Sequence, residues 1–174
     1  MSDYVVEPKS RGQLRNLANA FRDKLGLHDV LYFPIVELLD LMGEFFKDFS
    51  YEIVPDTEFP PEIHGDTNIL KNHIRIKESI YLGACNGNGR DRMTIAHEVG
   101  HYITLCFCGF SFQRNFEQKA VQAYESPEWQ AKCFAGELLV PAHLTYSLTP
   151  EEIEDKCGVS YAAACYQYGI MNRR

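Results

Sequence analysis

Apolar positions in the first fifty residues recur at helical spacing. Leu14, Leu17, Ala18, Phe21 and Leu25 share one face of a segment from about Lys9 to Leu27, while Arg11, Arg15, Arg22 and Lys24 point elsewhere. The pattern predicts an amphipathic helix whose arginines form a solvated face. A second helix is predicted from Pro34, a residue suited to the first helical position, with Ile35, Leu38, Leu39 and Met42 buried. The two helices occupy residues 9–48. From Ser50 the period shortens to two. Tyr51 and Ile53 alternate with polar neighbours, as do Ile74 and Ile76 with Arg75 and Lys77. Pro55, Pro60, Pro61, Gly65, Lys71 and Asn72 punctuate this stretch as turns. Residues 50–84 therefore read as a small, mainly antiparallel sheet of about three strands, ended by the loop Gly83–Gly89. Helices over 90–106, 126–140 and 149–170 complete an α+β fold. No linker divides the chain, so residues 1–174 read as a single domain.

Composition narrows the function. The chain has 174 residues, 45% hydrophobic and 24% charged, with no repeat running through it, which suits one globular core. A formal charge of -7 and a pI near 5.3 argue against direct nucleic-acid or membrane-surface binding. No apolar run approaches the ~20 residues of a membrane span. Met1-Ser2-Asp3-Tyr4 opens no signal peptide, so a cytoplasmic protein is expected. The six cysteines form no C-x-x-C pair and are expected to be reduced thiols, mostly small core residues.

The most specific chemistry lies in Thr94-Ile95-Ala96-His97-Glu98-Val99-Gly100-His101-Tyr102-Ile103. On a helix, His97 and His101 are one turn apart on one face, placing two imidazole nitrogens within reach of one metal ion. Glu98 sits about 100° around from His97, beside the metal rather than on it, where it can take a proton from water. Ile95, Val99 and Ile103 face the other way and anchor the helix. A hydrolytic zinc site needs a third protein ligand and an open fourth position. In the segment Ser126–Pro141, Ser126 caps a helix, Pro127 suits its first turn and Pro141 stops it. Glu128, Ala131 and Ala135 fall on one stripe, and the small residues permit close packing against the histidine helix. Glu137 lies about 180° from Glu128 and is expected to face away. Glu125, Glu117 and His143 are alternative third ligands.

Arg92-Met93-Thr94-Ile95-Ala96-His97-Glu98-Val99-Gly100-His101, followed by Glu128-x-x-Ala131-x-x-Phe134-Ala135-x-x-Leu138-Leu139-x-Pro141, resembles the ImmA/IrrE metallopeptidase family. The resemblance extends from the N-terminal helices to Gly158-Val159-Ser160. It implies a zincin-like domain in which His97, His101 and Glu128 are Zn2+ ligands and Glu98 is the catalytic base. It also implies a protein substrate, a helix-turn-helix (XRE-type) repressor of a mobile element or stress response. Many relatives carry a DNA-binding domain before the peptidase and some a sensor domain after it; neither is expected here.

Tyr124, Tyr146 and His143 are candidates for a second oxyanion donor. The Ile74–Ile76 strand is a candidate edge for holding an extended peptide. The aromatic stretch Cys106–Ser126, with Phe107, Phe110, Phe112, Phe116 and Tyr124, reads as core packing, with a lid or partner surface as the sharper alternative. Cys85 and Cys133 are near enough to the motifs in sequence to be weighed as redox-sensitive ligands, although buried cysteines are usually inert. The rival to an enzyme is a zinc-containing module that sequesters a regulator without cutting it; a hydrolase acting on a small molecule or a peptide terminus is a third reading.

Overall fold

A computed structural model of the chain describes residues 4–108, 113–114 and 122–172. Strand β1 (Tyr4–Val5) pairs antiparallel with β5 (Gln113–Arg114). Between them come helices α1 (Arg11–Lys24) and α2 (Ile35–Phe45), strands β2 (Ser50–Val54), β3 (Gly65–Asn68) and β4 (His73–Lys77), then α3 (Glu78–Cys85) and α4 (Gly89–Cys108). Helices α5 (Pro127–Leu139), α6 (Ala142–Thr145), α7 (Pro150–Cys157) and α8 (Tyr161–Met171) follow.

Local chemistry sets the helix ends. Ser10 and Gln13 form a reciprocal capping box at α1, and Thr149 and Glu152 do the same at α7. Gly158 closes α7 in the left-handed conformation at φ +61°, where a non-glycine residue is strained. Pro34 precedes α2 as its N-cap rather than standing at its first helical position.

The three-stranded sheet expected from the alternation is present in the order β2-β4-β3. It is mixed. The β3–β4 hairpin is antiparallel, whereas β2 runs parallel to β4, because the chain crosses from β2 to the far edge before turning back into the middle. The expected Gly83–Gly89 loop is partly helical, since α3 begins directly after β4. Gly83 lets α3 lie against α4, where an added Cβ would collide with the Asp91 carboxylate. Packing of α3 on α4 overrides the strand-like and glycine-rich local signals.

The core fills the space between α2, the inner face of the sheet, α4 and α5, with Phe33, Leu38, Ile76, Ile95, Val99 and Phe134 among its buried members. The arginine face expected to be solvated on α1 does other work. Arg11 and Arg15 pair with Glu137 of α5 at 3.1 and 2.8 Å, and Arg22 is fully buried, donating to the main-chain oxygens of Leu138 and Val30. Glu137 faces away from Glu128, as its spacing requires. Among the described residues no helix is long and apolar enough to cross a membrane.

Candidate metal centre

Helix α4 crosses the middle of the molecule with Ile95, Val99 and Ile103 fully buried, and this fixes its roll. The opposite face then presents His97 and His101 to a cleft. Helix α5 starts beside them. The Ser126 side chain accepts from the Trp129 amide and Pro127 occupies the first turn, so Glu128 projects from the helix start toward the histidines.

Three ligand atoms meet there. The Nε2 atoms of His97 and His101 are 3.1 Å apart. Glu128 reaches both, with Oε2 3.3 Å from His97 Nε2 and Oε1 3.2 Å from His101 Nε2. Two nitrogens and a carboxylate bound tetrahedrally at 2.0–2.2 Å stand about 3.3 Å from one another, the edge of a coordination tetrahedron. The donor set and its spacing thus fit a divalent cation with N and O ligands. The histidines are 20% and 14% exposed and Glu128 is 53% exposed, so the triangle is open on the cleft side. The histidines hold the Glu128 carboxyl well below the usual carboxylate range through their hydrogen bonds. His97 Nδ1 is buried and meets no partner among the described residues.

Glu98 stands off this triangle. It is 7% exposed, and burial raises its carboxyl above the ordinary range, opposed by His101, the Thr67 hydroxyl and His97. Thr67 of β3 donates to Glu98 Oε2 at 2.7 Å. Thr67 has no local motif to announce it; only the passage of β3 over α4 brings it to Glu98. That passage needs Gly65, where an added Cβ would lie 2.9 Å from the Arg75 carbonyl oxygen and 3.1 Å from Glu98 Cγ.

The cleft has a volume of about 960 Å3 and is walled by β3, α4, one face of α5 from Glu128 to Gly136, and Ala163, Tyr166 and Gln167 of α8. Strand β4 is the central strand, with Ile74 and Ile76 fully buried, so the expected peptide-holding edge is not there. The sheet edge at the cleft is β3, which pairs with β4 alone among the described residues.

Residues 61–168 match the model of peptidase family M78, the IrrE N-terminal-like domain. The chain belongs to this family. The match includes Thr67, His97, Glu98, His101 and Glu128, and it agrees with the likeness read from the paired motifs. A search against curated proteins found no match. Among solved structures, a Mycobacterium tuberculosis transcriptional regulator is similar in fold, with a TM-score of 0.56 and 16% identity, over 88% of this chain and 46% of that chain. The chain thus spans under half the length of that regulator.

Other candidates fall elsewhere. Glu125 lies in the turn before α5, outside the His97–His101–Glu128 group, and Glu117 lies outside the described residues. His143 packs against His28, away from the M78 motif residues. Tyr124, Tyr146 and His143 do not line the cleft, whereas His64, Tyr166, Arg90 and Lys132 do. Neither Cys85 nor Cys133 lines it. Of the aromatic stretch, Phe107 and Tyr124 are exposed rather than core, and Phe110, Phe112 and Phe116 lie outside the described residues.

Proposed function

We propose that this chain is a zinc-dependent endopeptidase that cleaves a helix-turn-helix (XRE-type) repressor, with His97, His101 and Glu128 as zinc ligands and Glu98 as the general base. The observation that carries this reading is Glu98 itself, buried beside the ligand triangle and tied to Thr67 at 2.7 Å. A structural metal site has no need of such a group. Zinc bound there supplies a Lewis acid that acidifies water and polarises a carbonyl oxygen. Glu98 takes the proton of the attacking water and hands it to the amide nitrogen of the departing peptide. Thr67 holds one carboxylate oxygen and leaves the other to meet the water. The free edge of β3 offers its backbone to an extended substrate segment. The unit that carries this activity includes the N-terminal helices, because α1 docks on α5 and its arginines hold Glu137.

Two observations favour a repressor as substrate. The similar solved structure is a transcriptional regulator, and the acidic chain suits a protein target better than DNA. The test is the intact mass of the regulator encoded beside this gene, after incubation with wild-type protein and with Glu98→Gln. Two fragments with the wild type only are expected. An uncut regulator that co-elutes with both proteins would overturn cleavage in favour of sequestration.

A further inference from the structure

Away from the cleft, a second group of chemically capable side chains gathers where the chain leaves α1 and where α5 gives way to α6. Gly26 turns the chain at φ +69°, and His28 and Asp29 follow it. His143 stands on α6. The two imidazoles stack with centroids 4.3 Å apart and planes 27° from parallel, and ligand atoms of His28, Asp29 and His143 all lie within 4.8 Å of one another.

The hydrogen bonds fix where the ring protons sit. His28 Nδ1 meets the Asp23 carboxylate, and His143 Nε2 lies 3.1 Å from the main-chain carbonyl oxygen of His28. Both oxygens are acceptors, so both of these nitrogens carry hydrogen. In its neutral form each ring then keeps its lone pair on the other nitrogen, Nε2 of His28 and Nδ1 of His143. His143 Nδ1 is buried, and no donor reaches it among the described residues. Metal-binding histidines tie their other nitrogen to a carboxylate or a main-chain carbonyl, which fixes the tautomer and the ring orientation. His28 and His143 show one of each.

We propose that His28, Asp29 and His143 form a second site for a divalent transition-metal ion, with Asp23 orienting His28. Two imidazoles and one carboxylate favour zinc, copper or nickel over magnesium or calcium. His28 and Asp29 are exposed, so water completes the coordination. The ion fastens the segment after α1 to the corner after α5. None of these residues belongs to the His97–His101–Glu128 triangle, so this site stands or falls separately from the peptidase reading.

The test titrates chelator-stripped full-length protein with Zn2+ against a chromophoric competitor and counts bound metal by native mass spectrometry. Wild type is expected to hold two zinc ions, with one remaining in His28→Ala/His143→Ala and one in His97→Ala/His101→Ala. If wild type binds one zinc, lost with His97 and His101 but kept without His28 and His143, the second site is overturned and the first stands. Two ions retained in His28→Ala/His143→Ala overturn it equally. Zinc that stays bound when His97 and His101 are removed but leaves with His28 and His143 supports the second site alone. A second measurement leaves the proposed ligands intact and so does not depend on their variants folding. Substoichiometric Cu2+ is added to His97→Ala/His101→Ala, and the histidine ring signals are followed by NMR. Selective broadening of His28 and His143 is expected; broadening of His64 or His73 in their place overturns the site.

Discussion

Gly100 faces the carbonyl oxygen of Ala131 across the α4–α5 contact, so close that a Cβ at Gly100 would lie 2.7 Å from it. Backbone against backbone is how the two helices come near enough for a carboxylate on one to reach two imidazoles on the other. Gly100→Ala is expected to push the helices apart, with about 1–3 kcal/mol lost as in other overpacked cores. Zinc affinity is expected to fall along with the melting temperature. A variant that melts lower yet binds zinc as tightly as wild type would detach this contact from the ligand geometry.

Thr67→Val keeps the shape of the side chain and removes the donor to Glu98 Oε2. On the proposed mechanism Thr67 is a positioning residue, so kcat is expected to drop roughly tenfold or more while KM changes little. Thr67→Ser, which retains the hydroxyl, is expected to restore most of the rate. Steady-state cleavage of a labelled substrate segment checks both. A valine variant as active as wild type, with damage from serine alone, would assign Thr67 a packing role only.

Glu137 is 2% exposed between Arg11 and Arg15. Removing its charge strands two partly covered guanidinium groups, and Glu137→Gln is expected to destabilise the fold by about 1–3 kcal/mol. Urea unfolding at neutral pH measures it. Zinc stoichiometry is expected to be unchanged, because Glu137 points away from the cleft.

Burial pushes the Cys133 and Cys157 thiols up to about 11 from an ordinary 9.0. Between those values the unfolded chain releases thiol protons that the folded chain retains, so stability falls as pH rises from about 9 to about 11. Each thiol accounts for about 2–3 kcal/mol at the top of that range. Tyr102, pushed up to about 12 by burial, acts in the same direction at higher pH. Urea midpoints at pH 8 and 10.5 read the slope, and Cys133→Ala/Cys157→Ala is expected to flatten it. At pH 8 iodoacetamide is expected to reach exposed Cys85 and Cys106 and spare buried Cys133 and Cys157 in the folded protein.

The histidine pair and Glu128 were legible because helical periodicity is a local rule. Spacing alone puts His97 beside His101 and sets Glu128 in line with Ala131 and Ala135, both of which are buried in the helix contact. What depended on distant partners was hidden. The arginines of α1 look like a solvent face until Glu137 and Leu138, more than a hundred residues later, fold onto them. Alternation marked β4 as a strand, but nothing in it told that β2 would lie parallel beside it and take the edge from Ile74 and Ile76. Thr67 reaches Glu98 only through that same arrangement.

The cleft-side edge of the sheet is short. Strand β3 has 4 residues, Gly65–Asn68, a length of roughly 13 Å in extended backbone. A partner laid along it can be read over only a few peptide units. Selection at such an edge falls less on a long sequence than on whether a protein can offer a brief unfolded stretch at all. On the proposed function, susceptibility becomes a property of local opening in the target, and whatever loosens or protects one loop of the substrate sets when it is open to cleavage.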